Sequence, residues 1–183
     1  MSEKTQLVLM AEYNKLMNQR ILEASSKLSL ESLIEDKGAF FKSVLTTLNH
    51  IMIGDILWMK RFSNLPSNVS SLMPLNTIDK PESLNQLLFS DLNAFEKERH
   101  RLDEIIINWC KELTNNDLDR LLSYKNFKNE QHNKRLGDVV LHVFLHQIHH
   151  RGQVTTLLSQ EGINFGETDL PEIIPDIKTE IIE

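Results

Sequence analysis

Proline placement constrains this chain more than any other feature. The five prolines are Pro66, Pro74, Pro81, Pro171 and Pro175, which leaves residues 1–65 and 82–170 free of them. Proline removes a backbone donor and clashes with the preceding turn, so long helices belong in such stretches. Apolar spacing fills both stretches with helical stripes. A first helix is predicted over Glu3–Leu28, from Leu9, Tyr13, Leu16, Met17, Ile21 and Leu28. A second is predicted over Phe40–Phe62, with Val44, Leu48, Ile51 and Trp58 on one side. A third is predicted over Ser83–Leu113, carrying Leu84, Leu88, Leu92, Phe95, Leu102, Ile106, Trp109 and Leu113. The fourth spans Leu136–Glu161, lined by Val139, Val140, Val143, Leu157 and Leu158 and stopped by Gly162.

The Ser/Asn/Pro segment Ser63–Pro81 reads as a long crossover loop. The polar stretch Asn115–Arg135 has room for short extended pieces such as Leu121–Tyr124. Four amphipathic helices with uneven loops predict an all-α, four-helix bundle. At 183 residues one core is available, since a chain of this length buries roughly 70% of its unfolded surface. No second domain or repeat is visible.

The formal net charge is −6. Residues 167–183 hold six acids and one base, so the remainder is nearly neutral and the tail reads as a surface segment. This balance opposes a nucleic-acid partner, which needs a basic face. No apolar run approaches the ~20 residues of a membrane helix, and no basic-then-apolar leader is present. A single cysteine, Cys110, excludes an internal disulfide and suits a reducing compartment. The expectation is a cytoplasmic protein with no membrane partner.

The chemistry concentrates in histidine. Four of the seven, His142, His146, His149 and His150, fall within nine residues of the fourth helix. Steps of four drift by only ~40° around a helix, so His142, His146 and His150 form a ridge. Neighbours at that spacing have β-carbons ~6 Å apart and can share a divalent metal. The spacing is that of helical zinc peptidases, but Gln147 follows His146 where those motifs carry Glu. His149 and His150 differ by ~100° and do not easily serve one metal. The pairs His146/His150, His142/His146 and His146/His149 all stay open on spacing alone.

A helix pair gives two ligands, so a third is expected from a facing helix. His50, midway along the second helix, is the candidate. Gly54 one turn on, and Gly152 beside the fourth-helix pair, would let the backbones approach. His100 and His132 sit in charged or polar surroundings and are expected in solvent. Met10, Met17, Met52 and Met59 read as core filler, and Cys110 beside Trp109 as a buried small residue. Asp55 and Glu12 are candidate acceptors for imidazole N–H groups.

Three segments resemble the DinB family, including its YfiT-like metal-dependent hydrolases. They are Tyr13-Asn14-Lys15-Leu16-Met17-Asn18-Gln19-Arg20-Ile21-Leu22; Leu48-Asn49-His50-Ile51 with Leu57-Trp58-Met59-Lys60-Arg61; and His146-Gln147-Ile148-His149-His150-Arg151-Gly152-Gln153. The third is the most diagnostic, and together they span Thr5–Gly166. That places a DinB-like domain over residues 1–166 and an acidic tail over 167–183. The resemblance implies an up-up-down-down bundle and frequent homodimers. It also implies metal ligands at His50, His146 and His150, one on the second helix and two just ahead of Arg-Gly-Gln. His142 and His149 then stand outside the ligand set.

Three imidazoles leave a coordination position open, the mark of a catalytic site, and suit Zn²⁺ or Ni²⁺. A metal-activated water would give a hydrolase. A bound thiol would give an S-transferase using low-molecular-weight thiols, as relatives do, with a small thiol or electrophile as partner. A second expectation is a stress-associated, metal-binding bundle dimer without turnover. Because binding needs neutral imidazoles, affinity is expected to fall below pH ~6.5.

Overall fold

The structure, a computed structural model, describes residues 2–65 and 70–176. Residues 66–69 of the crossover and 177–183 of the tail lie outside them. In chain order, α1 is Glu3–Ser25, α2 Leu30–Ile34, α3 Val44–Phe62, α4 Leu92–Glu112 and α5 Asn115–Leu118. An antiparallel hairpin, β1 (Leu121–Lys125) and β2 (Gln131–Arg135), leads into α6 (Leu136–Gln160). The all-α bundle expected from the spacing is present, built from α1, α3, α4 and α6.

Capping sets the helix starts. Ser2 accepts from the Thr5 amide at the head of α1, and Asp91 from Ala94 at the head of α4. Ser43 and Thr46 form a reciprocal capping box. That box starts α3 at Val44, four residues later than predicted. The third predicted helix shortens more. Leu84 and Leu88 belong to the crossover, because the chain turns into the helix only at Asp91. At the end of α6, Gly162 adopts φ +71° and its amide returns to the Ser159 carbonyl, as expected for a glycine stop.

α3 is buried on nearly every side and forms the centre of the bundle. It packs on α4 and α6, and α1 packs on the same two, so α1 and α3 lie diagonally. Cross-helix pairs fix the directions. Glu12–Lys111, Lys15–Glu104 and Asn18–Asp103 make α1 and α4 antiparallel. Glu3–Arg135 and Asn14–Arg151 make α1 and α6 parallel. Asp55–Arg99 and Phe62–Trp109 make α3 and α4 parallel. His50–His150 and Trp58–His142 make α3 and α6 antiparallel.

The helices therefore run up-down-down-up, which corrects the up-up-down-down order implied by the resemblance. The reason is the position of the crossover. Parallel neighbours α3 and α4 must be joined by a connection as long as the bundle, and residues 63–91 supply it, with a 3₁₀ turn over Ser70–Thr77.

The core takes the predicted α6 stripe and the α4 stripe from Phe95 onward: Phe95, Leu102, Ile106, Trp109, Val139, Val140, Val143, Leu157 and Leu158 are buried, while Leu92 is half-buried. Phe62 stacks on Trp109 at 4.6 Å between centroids. Removing either ring would cost about 3–5 kcal/mol. On α1 the buried face is rotated: Leu7, Ala11, Asn14, Met17, Asn18 and Ile21 face inward, while Leu9 and Leu16 are half-buried. Met17, Met52 and Met59 are core filler as expected. So is Cys110, whose thiol burial pushes up to about 12. Beyond α6, Tyr13 donates to the Thr168 carbonyl at 2.5 Å and Arg20 pairs with Glu172, laying residues 163–173 along α1.

Candidate metal centre

The antiparallel packing of α3 on α6 carries His50 to His146 and His150. Ring centroids lie 5.2 Å apart for His50–His146, 4.6 Å for His50–His150 and 4.4 Å for His146–His150. One ring nitrogen from each can be chosen so that all three fall within 4.8 Å of one another. Among the described residues no carboxylate or thiol joins the cluster. The three expected ligands are thus brought together. His142 and His149 are exposed and stand aside, His142 against Trp58 at 5.6 Å.

Hydrogen bonds orient two of the rings. His50 Nδ1 donates to the Leu84 carbonyl at 3.0 Å, and His150 Nδ1 to Gln153 Oε1 at 2.8 Å. Each bond leaves the Nε2 lone pair for a metal, the usual outer support of a ligating imidazole. Those acceptors were not foreseen. Asp55 and Glu12, the sequence candidates, serve elsewhere: Glu12 pairs with Lys111 on the surface, and Asp55 with Arg99 and Gln147 in the core.

Gly54 makes room for a side chain rather than for the backbone approach expected of it. A β-carbon there would meet His146 Cε1 at 2.9 Å and Nδ1 at 3.2 Å. Gly152 has open space around its Cα, so no close approach requires it. Phe41, from the turn before α3, stacks on His50 at 3.8 Å and stands edge-on to His150 at 5.3 Å. His132 stacks on Tyr124, and His100 stays partly exposed beside Glu96.

The cluster sits in an environment that disfavours charge. Burial, then the neighbouring His150, His50 and other imidazoles, pushes His146 down to about 3. Burial also lowers His50 and His150. All three shifts favour the neutral ring, the state a divalent cation requires. This moves the expected loss of metal affinity to a lower pH than the sequence alone suggested.

One turn away runs a buried polar network. Arg99 donates to Asp55 at 2.6 Å and pairs with Asp103 at 2.9 Å. Asn18 donates to Asp103 at 2.9 Å. Arg151 bridges Asn14, Asn18 and Gln147, and Gln147 donates to Asp55. Burial raises Asp55 against the pull of Arg99; on Arg99 burial is outweighed by Asp103 and Asp55. The network draws on all four long helices, and its α6 members, Gln147 and Arg151, flank His146 and His150. In the sequence its signal is the pair Arg99 and Asp103, set among the core residues Phe95, Leu102 and Ile106.

The family model described as DinB family matches residues 1–176. Protein DinB of Bacillus subtilis (strain 168) is 24% identical over 169 residues, covering 92% of this chain and 94% of that protein. No solved structure matches. No helix among the described residues is long and apolar enough to cross a membrane.

Proposed function

Because the chain belongs to the DinB family, we propose that it binds one divalent metal ion through His50, His146 and His150. The observation that supports this is the convergence of three imidazoles from two helices, two with Nδ1 already engaged. The donors fit the ion: all are neutral nitrogens, and Zn²⁺ or Ni²⁺ suits such a set. When bound with a position open, the ion supplies Lewis acidity, sufficient to activate a water or a thiol near neutral pH. The residues hold the rings, keep them unprotonated and exclude competing carboxylates.

On this reading the protein is a metal-dependent enzyme, a hydrolase or an S-transferase acting on a small thiol or electrophile. It works as a cytoplasmic homodimer, its catalytic domain ending near residue 166 with the acidic segment 167–183 beyond. A second reading, a stress-associated bundle that holds metal without turnover, is favoured by Phe41, whose ring restricts approach to His50 and His150.

Elemental analysis of the purified protein tests the site. The wild type is expected to carry close to one zinc or nickel per chain, and His50→Ala, His146→Ala and His150→Ala to carry far less. Equal metal content in all four would refute the site. A rate assay against esters, thiols and electrophiles, comparing wild type with His146→Ala, separates the two readings. Equal rates would remove the enzyme.

A further inference from the structure

We propose that the cavity between the last turns of α3 and the β1–β2 hairpin binds a small anionic molecule bearing a phosphate or carboxylate. Its volume is about 300 Å³, at the lower end for small-molecule sites. Lys60, Arg61, Lys80 and Lys125 line it together with Tyr124 and Phe127, and no carboxylate does. Four cations around one cavity invert the sign of a chain whose net charge is −6.

Surface lysines are normally solvated or paired, so the partners decide. Among the described residues, none of these four cations is within ion-pair distance of a carboxylate. Lys60 Nζ is occupied by the Leu75 carbonyl at 2.9 Å. Arg61 is the informative member. Its guanidinium carbon stands 4.4 Å from the Trp58 ring centre and 5.1 Å from that of Tyr124. The two rings, 5.1 Å apart and nearly perpendicular, lie on one side of it, and among the described residues its N–H edge has no hydrogen-bond acceptor. Burial works against its charge, so an uncompensated guanidinium here has a cost that an incoming anion relieves. That edge matches the paired oxygens of phosphate and carboxylate.

The C-terminal end of the α3 dipole is negative, about half a charge, and favours the cations Lys60 and Arg61 in its last turn. It does not account for Lys80 and Lys125, which arrive from the crossover and from β1. A row of rings then leads away from the cavity: Tyr124 to Trp58 at 5.1 Å, Trp58 to His142 at 5.6 Å, His142 to His146 at 6.1 Å. Resting on the metal reading above, the same molecule is anchored by its anion here and extends along α3 and α6 toward His146. The anion site itself does not depend on that reading.

The test is titration of the full chain with inorganic phosphate and with citrate at low salt, by calorimetry and by tryptophan fluorescence. A Trp58→Phe variant assigns the optical signal. Saturable binding is expected, weakened about tenfold in Arg61→Gln, the loss of one charge-assisted contact. The Lys80→Gln/Lys125→Gln double variant should weaken it similarly, and its exposed side chains leave folding intact. No saturation, or equal affinity in both variants and wild type, would overturn the site. Tighter, more salt-sensitive binding of a single-stranded oligonucleotide than of either anion would overturn it in favour of nucleic acid. Phosphate binding should survive in His146→Ala. Its loss there would overturn the site as separate from the imidazoles, whereas its retention alongside metal loss leaves the two readings independently decided.

Discussion

Gly54 and His146 face each other across α3 and α6 so closely that a single β-carbon would reach the imidazole at 2.9 Å. The absence of a side chain at one position thus makes room for the imidazole at the other.

Gly54→Ala should move the His146 ring while the helices stay packed. Because the neighbour is the end of a side chain, unfolding stability should fall by only about 1–2 kcal/mol. Metal affinity should fall far more, about 10- to 100-fold, as for lost outer support of a ligand. Calorimetric zinc or nickel titration with parallel urea melts measures both. Unchanged metal affinity would show that the ring has room elsewhere.

At the proposed site, metal should brace the bundle, since the three clustered imidazoles come from two helices. Chelation is expected to lower the melting temperature, and excess metal to raise stability as the logarithm of free ion, about 2.7 kcal/mol at a hundredfold excess over Kd. His150→Ala should lose this response. A loaded sample whose melting is indifferent to chelator would contradict a shared site.

The metal-free protein should lose stability on acidification through its histidines. Folding holds His146 near 3, below its unfolded value of ~6.5. The unfolded chain therefore takes up the proton first, so the contribution is intact above pH 6.5 and is lost as pH falls toward 3. His50 and His150 act in the same direction. Urea melts of chelated wild type between pH 7.5 and 4 should fall more steeply than those of His146→Gln. Parallel curves would place the ring in a wetter setting.

Arg99→Met should be as damaging as the loss of a core aromatic ring. It strands two carboxylates, Asp55 and Asp103, which are each 1% exposed or less. Breaking such a pair costs about 3–5 kcal/mol. Adding Asp103→Asn should recover part of the loss, because one stranded charge is removed. Denaturant melts of both variants decide; a fall under ~1 kcal/mol in Arg99→Met would mean that water reaches the network.

The bundle could be read from the sequence because proline and apolar spacing are local signals that survive without neighbours. The three converging histidines were readable in part: the i, i+4 ridge is a property of one helix, but its choice of partners is not. Other features needed the tertiary structure. Leu84 and Leu88 continue the α4 stripe in register, yet Leu88 and Phe89 donate to the Asn49 side chain from the crossover. Periodicity has no means of seeing Asp91 outcompete them for the helix start. Helix directions were missed because a long connection announces itself without saying which neighbours it joins. The Asp55–Arg99–Asp103 cluster was missed because burial is paid for by partners remote in sequence.

The crossover holds the centre in its own way. Asn49 clasps Leu88 and Phe89, and the adjacent His50 is aimed by the Leu84 carbonyl. One of the three clustered rings thus takes its orientation from an irregular segment, while the other two sit together on α6. Insertions or a protease cut between residues 83 and 89 should leave the scaffold standing and weaken the proposed metal binding. The proposed grip can therefore be retuned by editing a ribbon of seven residues without touching the framework.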